Sequence, residues 1–453
     1  MANSTERSVC MTEGPILPNM LRFFLPIMLG TLLQQLYSMV DAIILGKFVG
    51  KVALAAVGGS DIVIINLIVG FFVALSSGAA IVISQHYGAK EDEPVRQSVH
   101  TAMTLAVIIG AVMSVLGIFL APRFLGALDT PEDTLAYSVD YLRWYFAGMI
   151  PSMIYNMGSS ILRAVGDSRK PLLFLAVCTA ANTVLDLLLV AVFRMEVAGA
   201  AIATSLSQLI CAVLVISTLR RQKNACRLEL RRLCLVPSLL RRMLLIGLPA
   251  GVQSTMYGVT NLFIQKAINL LGTDTVAAWS ILWKIDGIYW PISGAIGIAV
   301  MTFCGQNFGA HKRERIFRCT RAGLFIHLSV SAFLGLVIAL AWNPVAGLFS
   351  SDPNVIAQGR QAMLLISTAY CLFSCIEVFS SAMRGCGTAL KPAILTLLGV
   401  CVLRMVLLFT VTFPHLSNQT IAMCYPITWA VTSALFFLYY KFGRWLPTLS
   451  QTD

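Results

Sequence analysis

Polar side chains recur at helical spacing inside the most apolar stretches of this sequence. Four of them lie in LLQQLYSMVDAIILGK, residues 32–47, at i, i+3, i+4 and i+7: Gln34, Tyr37, Ser38 and Asp41. On a helix these positions share one face, so an otherwise apolar helix carries a polar stripe that ends in a carboxylate. A charge at the bilayer centre costs at least ~2.5–3.5 kcal/mol, so such a residue is expected to face a cavity or a partner. The alternative is that Asp41 lies at the outer interface beside Lys47 and Lys51, where water solvates it.

The same spacing returns around the segment NTVLDLLLV and continues into the apolar stretch that follows. The polar members are Thr179, Asn182, Thr183 and Asp186, then Thr204, Ser207 and Gln208. Two carboxylates and several neutral oxygens from three helices suit a proton or a hard cation, which takes oxygen ligands. We therefore predict a coupling site for a cation or proton made of Asp41, Asp186, Asn182 and Thr204. For Asn182 and Thr204, hydrogen bonding between helices is the alternative interpretation.

The other polar side chains on these faces predict a substrate cavity. They are Gln34, Tyr37, Ser38, Thr179, Thr183 and Gln208 in the first half of the chain, and Gln253, Tyr257 and Trp283 in the second half. An aromatic side chain such as Trp283 suits contact with an aromatic or cationic compound. An aromatic belt at the membrane interface explains it equally well.

Charged residues are distributed differently in the second half of the sequence. Its first helix has a polar face without an acid, formed by Gln253, Tyr257, Asn261 and Gln265. Its acids, Asp286 and Glu377, lie in later apolar stretches, and Arg404 lies in the middle of another. Because unpaired charge within a membrane is costly, a buried ion pair between Glu377 and Arg404 with a structural role is favoured over a coupling role.

The composition decides which environment holds these polar faces. Of the 453 residues, 57% are hydrophobic and only 12% are charged, whereas soluble proteins are about 25% charged. Apolar runs such as 62–83 and 103–120 approach or exceed the roughly 18–20 residues that cross a bilayer as a helix. The sequence therefore predicts an all-α polytopic membrane protein.

Twelve membrane helices are predicted, with both termini in the cytoplasm. They are residues 16–45, 54–84, 96–121, 136–162, 171–193, 198–219, 238–271, 275–304, 316–342, 354–383, 392–413 and 420–440. Basic residues concentrate in turnarounds on one side, such as RAVGDSRK and HKRER, which are the loops that remain inside. The net charge of +12 is thus explained by topology, and no nucleic-acid partner is expected.

Two segments of the first half are repeated in the second. SSILRAVGDSRKP (159–171) aligns without gaps on SSAMRGCGTALKP (380–392), and SQHYGAK (84–90) aligns on GQNFGAH (305–311) at the same spacing. The repeats predict two six-helix lobes of parallel topology, related by a pseudo-two-fold axis along the membrane normal. The expected parts are listed in chain order: a cytoplasmic tail 1–15, an N-terminal lobe 16–219, a basic linker 220–237, a C-terminal lobe 238–441 and a cytoplasmic tail 442–453.

Two prolines sit inside predicted membrane helices at matching places. Pro26 lies in the first helix of the first lobe and Pro249 in the first helix of the second. Because proline lacks an amide donor, it bends a helix and frees a carbonyl. Repeated lobes with bendable first helices favour alternating access, in which one lobe rocks against the other.

Several classes of protein are not indicated by the sequence. The motifs HExxH, GxSxG and GxxxxGK[ST] do not occur, so no enzymatic activity is predicted. The twelve Cys have no ligand-type clustering, so neither a disulfide framework nor a metal centre is predicted, beyond a Na⁺ at the coupling site. We expect no cofactor other than the coupling ion, Na⁺ or H⁺.

The chain resembles the multidrug and toxic compound extrusion (MATE) transporters. The resemblance rests on the first helix, LPIMLGTLLQQLYSMVDAIILGKFVG, on NTVLDLLLV in the fifth and on the repeated LRAVGD and MRGCGT turns, and it covers nearly the whole chain. It implies secondary active efflux of amphipathic, often cationic, compounds in exchange for Na⁺ or H⁺. It also implies a bacterial-type inner membrane as the location, and we expect a monomer.

Within that family the chain is similar to the bacterial branch whose cation-site acids lie in the N-terminal half. The resemblance assigns Asp41, Asn182, Asp186 and Thr204 to that site, and Pro26 to the bending proline. The branch with an essential acid in the seventh helix is not matched, since Gln253 and its neighbours include no carboxylate. Glu377 could match an acid of the tenth helix in some relatives. A flippase for lipid-linked oligosaccharides remains the alternative function, and a strongly basic cavity would favour it.

Overall fold

The computed structural model describes residues 9–127 and 130–447, and these contain helices and no strands. The expected tails, 1–15 and 442–453, therefore lie partly outside the described residues. Most of the polar backbone groups in these ranges are paired within helices, which is the solution a bilayer demands of a spanning chain. The predicted all-α class is confirmed.

Twelve helices follow one another, some with a break or a π-helical turn inside them. They are α1 (Ile16–Phe48), α2 (Lys51–Ala56 continued by Val57–Asp61 and Ile62–Ala89), α3 (Asp92–Ala127), α4 (Glu132–Ala147 and Met149–Ala164), α5 (Arg169–Asp186 continued by Leu187–Val192), α6 (Glu196–Arg220), α7 (Pro237–Asn269), α8 (Thr273–Asp286 and Tyr289–Gly309), α9 (Arg313–Ala346), α10 (Pro353–Thr368 and Tyr370–Gly385), α11 (Leu390–Thr396 continued to Thr412) and α12 (Asn418–Phe442). Each predicted span overlaps one of these helices.

Most of these helices are long and apolar enough to cross a membrane. Nine meet that description within the described residues, and the two halves of α10, bent by 43°, make a tenth. The two that do not are α4, which is broken at Gly148, and α7, which carries Arg241, Arg242 and Lys266. Pro26 and Pro249 both lie inside continuous helices, α1 and α7.

The repeated sequences have repeated local structures. Lys90 and His311, which end the shorter repeat, both have left-handed backbone angles, with φ of 61° and 58°. Gly166 and Gly387 in the longer repeat have φ of 94° and 91°, a region that glycine enters without strain. These turns end the helices before them at equivalent points in the two halves.

The chain divides into two compact units. Among the described residues, one unit contains 9–10 and those of Leu25–Gly251, and the other contains Met11–Phe24 and 252–447. In the first unit a buried apolar cluster of Ile44, Leu45, Val190 and Ala200 joins α1, α5 and α6. This cluster fixes the three helices that carry the predicted coupling residues.

Candidate functional site

Three of the predicted coupling residues meet in the first unit. Asn182 lies between two acids, and the amide orientation that satisfies both places its nitrogen toward them: Nδ2 then donates to Asp41 Oδ1 at 2.8 Å and to Asp186 Oδ2 at 3.0 Å. The two carboxyl groups therefore face the same amide nitrogen. Asn182 and Asp186 are fully buried, whereas Asp41 is partly exposed. The arrangement is a pair of carboxyl groups joined by one amide.

Local helix structure brings the pair together. Asp186 ends the regular part of α5, and the π-helical turn Leu187–Val192 follows it directly; such turns widen a helix and re-aim the side chains around them. Two thiols tie α5 to α6: Cys178 Sγ donates to Ser207 O at 3.3 Å, and Cys211 Sγ donates to Phe174 O at 3.2 Å. Asp41 then reaches the α5 residues from α1.

The fourth predicted coupling residue, Thr204, joins the group through a tyrosine. Tyr37 Oη, one helical turn before Asp41, donates to Thr204 Oγ1 at 2.8 Å. Tyr37 and Asp41 lie on the same face of α1. Polar residues therefore extend from Thr204 on α6 across α1 to Asn182 and Asp186 on α5.

A cavity of about 460 Å³ borders this group on the side of Asp41. Five predicted residues line it, namely Gln34, Tyr37, Ser38, Gln208 and Thr204, together with Asp41 itself. The side-chain oxygen of Gln208 is buried without a hydrogen-bond partner among the described residues. The cavity thus combines one accessible acid with neutral polar groups and with the aromatic rings of Tyr141 and Tyr145.

Two residues predicted for this cavity do not line it. Thr183 Oγ1 donates to the carbonyl oxygen of Thr179 at 3.0 Å, one turn back on the same helix. Neither Thr179 nor Thr183 is among the lining residues of the cavity. The rotation of α5 turns Asn182 and Asp186 toward α1. Thr179 and Thr183 lie outside the cavity lining, and Thr183 forms its hydrogen bond within α5.

Asp61 was not predicted, although it is a third acid buried in the same unit. It is 0% exposed, directly before the helical segment Ile62–Ala89 and close to Ser138 of α4. Its sequence signal was an acid directly before the apolar run 62–83, but Gly58, Gly59 and Ser60 resemble a loop. The chain is kinked at Gly59, whose backbone angles are non-helical (φ −96°, ψ −115°), and the helix resumes at Asp61.

A second cavity of about 570 Å³ lies in the other unit. The predicted residues Gln253, Tyr257 and Trp283 line it, and so do Asp286, Glu377 and Arg404. Asp286 accepts hydrogen bonds at both carboxylate oxygens, from Trp290 Nε1 at 2.6 Å and from the Tyr370 hydroxyl. Trp283 therefore lines a cavity, as its predicted contact with a substrate requires; the other interpretation was an aromatic belt at the membrane interface.

The predicted ion pair between Glu377 and Arg404 is wrong. Glu377 lies near Arg384, about two turns further along α10, with Oε1 3.8 Å from Nη2, and it accepts a hydrogen bond from Ser381 Oγ at 3.2 Å. Arg404 instead stacks on the ring of Tyr425, with its guanidinium carbon 4.3 Å from the ring centroid. Glu377 thus has its arginine partner on its own helix, and Arg404 of α11 has an aromatic one.

Comparisons with known proteins agree on one family. The MatE family model matches residues 26–188 and 249–410, which are the two halves of the repeat. The chain is 29% identical to the probable multidrug resistance protein YpnP of Bacillus subtilis, over 96% of this chain and 97% of that protein. It is 26% identical to the probable multidrug resistance protein YoeA of the same organism, over 93% and 92% of the two chains.

The fold also has solved counterparts. An outward-facing multidrug resistance MATE family transporter of the MOP superfamily superimposes with a TM-score of 0.89 over 97% of this chain and 98% of that chain, at 22% identity. At this identity the superposition establishes the two-lobed, twelve-helix fold.

Proposed function

The chain belongs to the multidrug and toxic compound extrusion (MatE) family, and from that premise we propose that it is a secondary active efflux transporter. It exports amphipathic or cationic organic compounds in exchange for Na⁺ or H⁺. The names of its relatives support the efflux of drugs. The observation that carries the coupling is the group formed by Asp41, Asn182 and Asp186 beside a polar cavity.

The chemistry of this group suits the binding of a cation or a proton. Two carboxyl groups that share one donor repel each other when both are ionised, and a proton or a hard cation between them relieves that repulsion. Asn182 holds the pair together by donating to both acids. Asp41 provides the access, because it is partly exposed and lines the cavity while Asp186 is fully buried.

Substrate and cation are coupled through α1 in this proposal. Gln34, Tyr37 and Ser38 line the cavity from the same helix that carries Asp41 and Pro26. Binding of a cation at Asp41 changes the packing of α1 around Pro26, and that alters the cavity in which the compound sits. The linkage is reciprocal: the factor by which the cation changes the affinity for the compound equals the factor by which the compound changes the affinity for the cation.

The transport cycle is alternating access of the rocker-switch type. We assign residues 16–219 and 238–441 to the two lobes, 220–237 to a cytoplasmic linker, and both tails, 1–15 and 442–453, to the cytoplasmic side. Pro26 and Pro249 are the bending points of the first helix in each lobe. The protein acts as a monomer in a bacterial-type inner membrane.

Flipping of lipid-linked oligosaccharides remains the alternative, and the cavities give it little support. A diphosphate-linked sugar calls for several basic side chains, as its charge must be neutralised within the membrane. Among the described residues that line the two cavities, Arg404 is the one Lys or Arg.

Transport by purified protein in liposomes tests the proposal. Liposomes containing ethidium, a planar cation, are given a Na⁺ gradient or a pH gradient separately, and efflux is followed by fluorescence. We expect one of the gradients to drive efflux, and Asp41→Asn to slow that efflux by about tenfold or more, equivalent to about 1.4 kcal/mol.

Asp140→Asn is the matched control, because Asp140 is an exposed acid of α4; it should leave efflux unchanged. Full gradient-driven efflux by Asp41→Asn would contradict the coupling site. Absence of efflux by the wild-type protein under both gradients would contradict the function itself.

A further inference from the structure

Arg404 is a buried charge without a partner of opposite charge. It lies in α11, is 3% exposed, and lines the 570 Å³ cavity of the second unit. Its Nε is buried without a hydrogen-bond partner, and no ion pair to it occurs among the described residues. A guanidinium in this position is costly, because burial removes water from a group that carries five donors.

The acids that line the same cavity are engaged elsewhere. Glu377 lies beside Arg384 and accepts from Ser381. Asp286 accepts from Trp290 and Tyr370. The stacking of Arg404 on Tyr425 fixes the plane of the guanidinium and leaves its donors available in the cavity. Arg404 is therefore the unpaired charge among the described residues of this cavity, which also contains the unpartnered side-chain oxygen of Gln253.

The wall beside Arg404 is a continuous aromatic surface. Trp429 contacts Trp290, Phe373 and Tyr425, with ring centroids 5.9, 5.7 and 5.6 Å apart. Trp290 also contacts Phe373 edge to face at 5.0 Å. All four rings line the cavity. Such a surface favours planar, apolar groups, which gain offset-stacked or edge-to-face contacts there.

We propose that this cavity binds a planar aromatic compound that carries a carboxylate or a phosphate. The anionic group forms a bidentate pair with Arg404, and the ring system lies against Trp290 and Trp429. The proposal rests on the transport function in one respect: it extends the substrate class of the exporter from cations to aromatic anions. The binding itself requires no ion gradient.

Binding to the wild-type protein in detergent gives the primary test. The probes are 2-naphthoate, its neutral amide 2-naphthamide and the cation 2-naphthylmethylammonium, which share one ring system and differ in charge. Isothermal titration calorimetry should give an affinity for 2-naphthoate about tenfold or more above that for either other probe, as expected of a charge-assisted bidentate contact. Equal affinity for the three probes, or preference for the cation, would overturn the proposal.

Two substitutions assign the effect to Arg404. Arg404→Gln should reduce the affinity for 2-naphthoate by about tenfold or more and leave that for 2-naphthamide unchanged, whereas Arg404→Lys should retain part of the preference for the anion, because Lys keeps the charge but not the bidentate geometry. Arg360→Gln removes an exposed arginine of α10 in the same unit and should change neither affinity. An unchanged preference in Arg404→Gln would overturn the assignment. If Arg404→Gln does not fold, Arg404→Lys and the three wild-type affinities still test whether Arg404 binds the anion.

A lipid headgroup could supply the same anionic chemistry, and two further probes separate the two sources. Hexyl phosphate has the charge but no ring, so it should bind more weakly than 2-naphthyl phosphate. Tighter binding of hexyl phosphate would overturn the aromatic part of the proposal. Because these affinities are measured without a membrane gradient, loss of ethidium efflux and loss of anion binding are separate results.

Discussion

The carboxyl groups of Asp41 and Asp186 share one donor, the amide of Asn182, although they come from the first and the fifth helix. In the proposed coupling site this proximity makes the charge of one acid depend on the charge of the other, so the pair takes up a proton or a cation as a unit. The occupancy of the pair is then linked to the position of α1.

Asn182→Leu tests whether the bridging amide supports the acid pair. The substitution removes two hydrogen bonds to charged groups and leaves both acids buried without that donor, so we expect the free energy of unfolding to fall by about 1.5–3 kcal/mol. Thermal unfolding in detergent should give a lower melting temperature, and gradient-driven efflux should fall as well.

Thr183→Val, at the next position on α5, is the control for Asn182→Leu. Its hydroxyl donates within its own helix, so its loss should change stability by less than about 0.5 kcal/mol. Equal melting temperatures for the two variants would argue against a bridging role for Asn182.

Tyr37 and Thr204 should be energetically coupled. Their hydroxyls are 2.8 Å apart and connect α1 to α6. In a double-mutant cycle of Tyr37→Phe, Thr204→Val and the double variant, we expect the effects on the apparent affinity for the coupling ion to be non-additive by about 0.5–3 kcal/mol. Additive effects would mean that the two residues act independently, and that Thr204 lies outside the coupling site.

Gly297 on α8 should be intolerant of a methyl group because Glu377 occupies its space. A Cβ at Gly297 would overlap Glu377 Oε1 and press on Ser381 Oγ at 3.0 Å. We expect Gly297→Ala to displace Glu377 from Arg384 and to lower stability by about 1–3 kcal/mol, the usual cost of overpacking.

Gly294, one turn before Gly297, provides the matched control. An added Cβ there meets no atom within 4 Å, and alanine is favoured over glycine in a helix by roughly 0.5–1 kcal/mol. Gly294→Ala should therefore melt at or above the wild-type temperature. A melting temperature for Gly297→Ala as high as that of Gly294→Ala would contradict the described position of Glu377.

Much of the fold follows from patterns that depend on one helix at a time. The length and apolarity of the spans gave twelve helices, and the repeated segments marked equivalent turns, because helix formation and turn chemistry are local. The polar stripe of α1 was recognisable for the same reason: Gln34, Tyr37, Ser38 and Asp41 are neighbours on a single helix.

Contacts between helices were harder to predict, since they depend on how far each helix is rotated. The stripe of α5 divides in the structure: Asn182 and Asp186 meet Asp41, whereas Thr179 and Thr183 do not line the cavity. The sequence favoured Arg404 as the partner of Glu377, whereas Arg384, on the same helix as Glu377, lies beside it. Asp61 was missed because its neighbouring glycines suggest a loop; the chain is kinked at Gly59, and the helix resumes at Asp61.

Cys226 and Cys234 of the basic linker should differ strongly in their reactivity toward a maleimide. The linker is attached to α3, since Glu229 N donates to His100 Nε2 at 3.1 Å and Val236 N donates to Thr101 Oγ1 at 3.2 Å. Cys226 is fully buried under this attachment, whereas Cys234 is exposed. Burial raises the pKa of the Cys226 thiol to about 12, so the neutral thiol persists and the reactive thiolate becomes abundant only near that pH.

At pH 8 a brief pulse of N-ethylmaleimide, followed by peptide mass spectrometry, should label Cys234 and leave Cys226 unmodified. Raising the pH to 9 should increase the labelling of Cys226 only slightly. Labelling of both cysteines in the presence of urea is the control for accessibility. Equal labelling of the two in the folded protein at pH 8 would contradict the attachment of the linker.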